Sequence, residues 1–444
     1  MSGEGALPLS IAEPLASDPA VRLRGVPWRG LAGLQQLVLP AIAATLDGAP
    51  AERIVDRTLR SNRELTGPQR TAAVAAIFGV ALWRRRLRWH VADGEGAGHD
   101  VAHAAPVTDL PAASRLIFAL LRDLAGLSDE DAAALSGLEG APPARRDPPD
   151  ALALRWSFPD WIADGFARDF GGEAGPLCAA LNLPGPICLR ANRLKIARDE
   201  LARRLADEGV ETRPGRWSPL ALIVHGARPN VLGLPAHREG LFEVQDEGSQ
   251  LLGLLVDAKP GETILDLCAG AGGKTLLLAA EADVDLHAHD VDLERLDRLQ
   301  RRAERAGVRR LRIHRGTLPA DLRADAVLID APCSELGSLR RGPDARFRVS
   351  KRDADALPAL QLRLLEQAAR HLRHGGRLVY ATCTLRREEN EAVVAAFLSA
   401  SGSFRMRRPP LAGVPAGMLR GGHFLALPHQ HGTDGFFGAV LESA

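Results

Sequence analysis

Cysteine is scarce in this chain: five in 444 residues, an odd number with no Cys-x-x-Cys spacing. That argues against a disulfide framework and against a zinc site, and reduced thiols are expected. Long apolar runs are missing too, none reaching the ~18 residues that a membrane span requires, so a soluble chain with no membrane partner is expected. The segment Met1 to Ala20 has no basic start ahead of an apolar core and carries Glu4, Glu13 and Asp18. It does not read as a signal peptide, and the cytoplasm is the expected compartment. An excess of one charge is absent as well, since a formal net charge of +1 supports no global attraction to nucleic acid. Internal repeats and low-complexity segments are not found, and no obligate protein partner is evident. His423, His429 and His431 lack clear carboxylate or cysteine company, so no metal site is expected.

What is present is locally concentrated. Basic residues cluster at Arg84, Arg85, Arg86 and Arg88, then from Arg301 to Arg315, then at Arg340, Arg341, Arg346, Arg348, Lys351 and Arg352. The first two clusters read as solvated helix faces. The third contains Phe347, so base stacking and phosphate contact are expected there.

The chain is long enough for about three domains at ~150 residues each. From about Leu31 to Leu138 apolar residues recur at three- and four-residue spacing, which predicts an N-terminal all-α bundle over 1–140. Ala141 to Asp150 is rich in proline and reads as a linker. Mixed signals over 151–236, with a helix near Trp161 to Phe170 and strands at Ile187 to Ala191 and Ala221 to Val224, predict a small α+β module. Over 237–444 strands alternate with helices: Thr263–Leu267, Val284–His289, Leu311–His314, Ala326–Ile329 and Arg377–Thr382, with a late antiparallel strand at Phe436–Leu441. This pattern predicts a C-terminal α/β Rossmann-like domain with a mostly parallel sheet.

Two cysteines then stand out, Cys333 in Leu-Ile-Asp-Ala-Pro-Cys-Ser and Cys383 in Tyr-Ala-Thr-Cys-Thr, each after an apolar run ending at a polar turn. A lone cysteine is usually a small buried hydrophobe. A pair at the same ends of two strands, separated by a helical pattern, is placed where open α/β sheets bind ligands. Ile264 to Thr275 reads as a strand, a turn with Gly270, Gly272 and Gly273, and a helix start whose free amides favour an anion. Lys274 adds a cation. A nucleoside-triphosphate loop would need glycine where Cys268 stands. Asp290, at the end of the next strand, occupies the place where an acid accepts ribose hydroxyls, so the combination points to an adenosyl ligand.

Taken together these segments resemble the Sun/Fmu (RsmB-type) family of RNA 5-methylcytosine methyltransferases. Cys268-Ala-Gly-Ala-Gly-Gly-Lys274 is similar to its cofactor loop, Asp330-Ala-Pro-Cys-Ser334 to its first cysteine motif, and Thr382-Cys383 with Glu388-Glu-Asn390 to its second. The resemblance implies a class I methyltransferase domain, S-adenosyl-L-methionine as cofactor and RNA as partner, with ribosomal RNA in a single-stranded or loop region as the expected substrate. It also implies that the helical region is an RNA-binding, NusB-like domain and that the small module associates with RNA. It assigns Cys383 as nucleophile, Cys333 to release of the methylated base, and Asp330 to the base edge or the methyl donor. Cys268, Ala269, Gly270, Ala271, Gly272, Gly273, Lys274, Asp290 and Asp330 would hold the cofactor. The chain departs from the family at Ala271, usually proline, at Thr317, usually aspartate near the adenine, and at Glu335-Leu336, usually small. A non-catalytic RNA-binding factor on the same fold, and less so a P-loop nucleotidase, are the alternatives.

Overall fold

The computed structural model describes residues 18–92, 109–226, 229–409 and 413–443. Among these residues two compact units emerge, one drawn from 18–184 with 339–351, the other from 185–338 with 352–443. The first is helical: α1 (Gln35–Leu46), α2 (Ala51–Ser61), α3 (Gly67–Val91), α4 (Leu110–Ala119), α5 (Asp129–Ser136), α6 (Leu152–Arg155), α7 (Asp160–Phe170) and α8 (Ala174–Leu181). Its spine is α3, which starts at a capping box in which the Gln69 side chain accepts the Thr66 backbone N–H at 2.9 Å, satisfying donors that a helix start leaves open. Ala73, Ala76, Ile77, Val80 and Leu87 recur at helical spacing on its buried face and form one core with Val38, Ile42, Leu116, Ile117 and Leu120. Ala141 to Asp150 carries no regular structure.

The second unit holds two sheets. Strands β1 (Cys188–Ala191), β2 (Thr212–Pro214), β3 (Ala221–Val224) and β4 (Phe242–Val244) make a small antiparallel sheet in the order β2-β3-β1-β4, and α9 (Arg198–Asp207) packs its Leu201 and Leu205 into that sheet's core. After α10 (Pro235–Arg238) and α11 (Glu247–Leu254) comes the larger sheet. Its strands are β5 (Thr263–Asp266), β6 (Asp285–His289), β7 (Leu311–His314), β8 (Ala324–Asp330), β9 (Leu372–Thr382), β10 (Phe404–Arg407), β11 (Leu419–Arg420), β12 (His423–Ala426) and β13 (Phe436–Ser443). Helices α12 (Gly273–Glu281), α13 (Leu293–Ala306), α14 (Lys351–Arg370), α15 (Glu391–Ala400) and α16 (Pro428–His431) lie between them in sequence.

The strand order is β11-β12-β13-β9-β8-β5-β6-β7, with β10 beside β13. Strands β5 to β9 pair in parallel and β13 runs antiparallel to β9. This is a Rossmann-like sheet. Its central strands β5, β8 and β9 are apolar on both faces because a separate core packs on each side, one around Ile264, Leu328 and Val379, the other around Leu265, Val327, Leu378 and Tyr380. β9 starts at Leu372, earlier than its apolar run, and β10 to β12 were not anticipated: they are only two to four residues long.

Candidate active site

β8 and β9 lie side by side in parallel with Asp330 opposite Ala381. Each chain therefore leaves the sheet at the same edge, and the turns that follow bring Cys333 and Cys383 together with their sulfurs 3.4 Å apart. Backbone bonds stitch the turns: Ala331 N–H donates to Ala381 O at 2.9 Å, Gly337 N–H to Cys383 O at 2.9 Å, and Gly435 N–H to Gly337 O at 2.8 Å. A Cβ on Gly337 would stand 2.1 Å from the Gly435 carbonyl oxygen, so only glycine lets these three loops close.

A buried carboxylate braces the pair from behind. Glu389 is wholly inaccessible and accepts the Ser334 N–H at 2.9 Å and the Ser334 Oγ–H at 2.6 Å. Gln361 Nε2 donates to Glu389 at 3.1 Å and to the Pro332 carbonyl at 2.9 Å. Burial pushes the Glu389 carboxyl above its ordinary range despite these donors. Asn390 does the same for the second turn, accepting from Thr382 Oγ1 at 2.6 Å and donating to Thr384 O at 3.0 Å. Glu335, one residue past Ser334, is held at φ 57°, a left-handed conformation that costs a non-glycine residue roughly 1–2 kcal/mol. The Cys333 thiol is raised well above the usual range, first by its hydrogen bond with Cys383, then by burial and by the Cys383 charge.

The glycine loop follows β5 at the same edge. Gly270 adopts φ 53° with open space where a Cβ would stand, while Gly272, at φ 88°, is tight against Leu299. Thus Gly270 leaves room for a ligand and Gly272 serves helix packing. Asp290 accepts the Gly270 N–H at 2.8 Å on one oxygen and the Asp292 N–H at 2.9 Å on the other. A carboxylate has about four acceptor sites, so two remain. Lys274 is buried and its Nζ donates to Asp330 Oδ2 at 2.6 Å, tying the loop to the end of β8. Asp266 is 1% exposed; Thr275 donates to its Oδ2 at 2.7 Å, while Oδ1 has no partner, and burial lifts its carboxyl to about 7. The Cys268 thiol is pushed far up by burial and by the nearby aspartates, so it stays neutral. Ala269 and Ala271 complete the loop, Ala269 N–H donating to His289 O at 2.9 Å.

Residues 253–442 match the model of the 16S rRNA methyltransferase RsmB/F family, and residues 158–230 match the RsmF/B-like ferredoxin-like domain. The small subunit ribosomal RNA methyltransferase B of Thermus thermophilus is 33% identical over 92% of this chain and 98% of its own. That of Xanthomonas campestris is 35% identical, covering 68% of this chain and 70% of its own. The chain belongs to the RsmB/F family. As a member it is an S-adenosylmethionine-dependent rRNA methyltransferase. Among solved structures, PH0851 superposes with a TM-score of 0.71 at 25% identity over 97% of this chain and all of its own. A methyltransferase homologue from Pyrococcus horikoshii superposes with a TM-score of 0.57 at 29% identity, covering 66% of this chain and 98% of its own.

The loop of this RsmB/F member suits its cofactor. The cradle at Gly270, the unused acceptor sites of Asp290 and the orphaned Asp266 Oδ1 offer what an adenosyl group with an ammonium tail needs. Val291, 91% exposed beside Asp290, presents an apolar surface that sequence reading passed over. Thr317 is also exposed.

The basic clusters are arranged differently from the expectation. Arg85 and Arg86 are buried, not solvated: Arg85 binds the Phe158 carbonyl and Asp160, and Arg86 binds Asp18 at 2.6 Å. Arg302 and Arg305 clasp the buried Glu243, and Arg302 also donates to Ala271 O at 2.5 Å. Arg190, fully buried, donates to Gly273 O at 2.6 Å. These arginines fix the glycine loop through its carbonyls. In the third cluster Arg346 is a core residue, bonded to Asn182 at 2.7 Å and lying over Phe158, and Phe347 is covered by Arg84 at 3.6 Å. The pairing of Arg346 and Phe347 with RNA that the sequence suggested is therefore replaced by packing inside the helical unit.

Proposed function

We propose that this enzyme methylates C5 of a cytosine in small-subunit rRNA, in the cytoplasm, through a covalent bond from Cys383 to C6. The 3.4 Å contact of Cys333 with Cys383 carries the reading. Cytosine C5 is a weak nucleophile, and thiolate addition at C6 raises its electron density. S-adenosylmethionine, when bound, supplies the electrophilic methyl group. Lys274, Asp290, Asp330 and the 268–273 loop hold the cofactor, and Asp330 also orients the edge of the base.

Cys333 keeps its proton while Cys383 is free, and its S–H stabilises the attacking thiolate. Once the S–C6 bond forms, Cys383 no longer carries charge or accepts that hydrogen bond. Two of the causes that hold the Cys333 thiol up then vanish, leaving burial and the Glu389 charge. Cys333 can release its proton to water and, as thiolate, take the proton from methylated C5. The electrons of that C–H bond form the C5–C6 double bond, and Cys383 departs as thiolate. The base must be out of any stack to reach both sulfurs, so a single-stranded or loop region is the target. The division 1–140, 151–236 and 237–444 belongs to this reading, with the first two parts holding RNA and the third transferring the methyl group.

The test uses small-subunit rRNA lacking the modification, tritiated cofactor and denaturing gels, with bisulfite sequencing to locate the product. Cys383→Ala is expected to lower turnover by at least about a thousandfold, and Cys333→Ala to trap a protein–RNA adduct. Normal methyl transfer by Cys383→Ala would remove the nucleophile assignment.

A further inference from the structure

A cavity of about 560 Å³ lies wholly within the helical unit, lined by Arg84, Arg85, Arg88, Arg348, Lys351 and Trp161, with Asp47, Asp160, Asp344 and Phe347 also on its wall. It joins two basic clusters that are remote in sequence. Five cations meet three carboxylates there. Arg85 is bound to Asp160 and Arg348 to Asp344. Arg84 and Arg88 have no hydrogen-bond or ion-pair partner among the described residues, and their Nε atoms are buried without an acceptor. Leaving buried guanidinium donors unsatisfied is costly. Desolvation and repulsion from Arg88 pull the Arg84 guanidinium down to about 9, and desolvation and repulsion from Arg85 lower that of Arg88. The pocket is thus built short of negative charge.

We infer that this cavity is an RNA subsite outside the methylation centre, in which Arg84 and Arg88 take successive phosphodiesters of the substrate strand and Trp161 packs against a neighbouring base. The planar fork of arginine matches phosphate oxygens, and aromatic stacking on a base is tolerant of sequence. The charge balance selects the ligand. Arg84 and Arg88 lack an ion-pair partner among the described residues, and two phosphodiesters match these two charges, whereas a free nucleoside triphosphate would bring about twice that charge. A chain with net charge of only +1 also needs a local cationic site to grip a polyanion. The inference rests on the RNA reading above but not on the cysteine chemistry.

The test measures filter binding of small-subunit rRNA transcript to the full chain over a series of salt concentrations. Arg84→Gln with Arg88→Gln is expected to weaken binding by about tenfold or more and to reduce the slope of log K against log salt by about 1–2. Trp161→Leu should weaken binding with little change in slope. Arg88→Gln alone removes no observed contact, so it keeps the test valid if the double variant unfolds. Arg405→Ala, which removes an exposed cation from β10, should leave affinity within about twofold. Calorimetric binding of the cofactor should be the same in every variant, which separates this subsite from the catalytic reading. Unchanged affinity and slope in Arg88→Gln and in the folded double variant would overturn the proposal. So would saturable binding of free cytidine monophosphate to the pocket with rRNA affinity unaffected by Arg88→Gln.

Discussion

Asp266 illustrates what a single buried group does to the whole molecule. Its folded carboxyl sits at about 7 rather than 3.8, so the folded state holds a proton that the unfolded chain gives up. The stability it permits is fully present below about 4 and is lost as pH rises through about 7. With one unit worth about 1.4 kcal/mol, the loss is at most about 4 kcal/mol. Asp266→Asn has no charge to bury, so its unfolding free energy from denaturant titration should stay flatter than that of the natural chain between pH 5 and 8. Identical pH profiles would show that Asp266 is ionised without penalty. The position of this residue at a strand end before the glycine turn was legible in sequence; its orphaned oxygen was not, because that depends on what Thr275 and the sheet interior leave unfilled. Cys333 and Cys383 were readable as a pair for the opposite reason. Apolar runs ending in polar turns mark strand ends, and parallel neighbours put equivalent ends at one edge.

Elements decide whether such residues hold their geometry. The turns after β8 and β9 interlock through Gly337, whose added methyl would collide with the Gly435 carbonyl. Gly337→Ala should therefore displace Cys383 and lower turnover by about a hundredfold, since ~1 Å of misplacement costs that much, while cofactor affinity stays within about twofold by calorimetry. A loss of cofactor affinity instead would mean that the glycine loop depends on the cysteine turns. The reverse dissociation is expected for Arg302→Ala, which frees the Ala271 carbonyl and one side of Glu243. Cofactor should bind roughly tenfold more weakly, as for a lost charge-assisted bond of about 1.5 kcal/mol, with turnover at saturating cofactor nearly unchanged. Sequence periodicity anticipated a helical N-terminal region and helices between the later strands but gave no access to these arginines. A run of arginines looks the same whether it faces water, Glu243 or Asp160, because the partner lies tens of residues away. The short strands β10 to β12 escaped notice on similar grounds: two to four residues are too few to establish alternation.

At the scale of the molecule the separate cores matter most. Val38, Ile77 and Leu120 belong to one core in the helical unit, while Ile264, Leu328 and Val379 belong to another in the sheet unit, and each has its own interior to lose on heating. The cofactor loop, Asp290 and both cysteines lie in the sheet unit. A ligand that binds only the folded form adds about 2.7 kcal/mol at a hundredfold excess over its Kd, which corresponds to a rise of about 5–10 °C for a unit of this size. Scanning calorimetry with S-adenosylhomocysteine should therefore move the transition of the sheet unit upward and leave that of the helical unit in place. A separate scan with Val80→Ala, which thins only the helical core, should lower the other transition by about 1–3 kcal/mol without altering the ligand-induced shift. If both transitions moved together in either experiment, the two cores would be melting as one cooperative body.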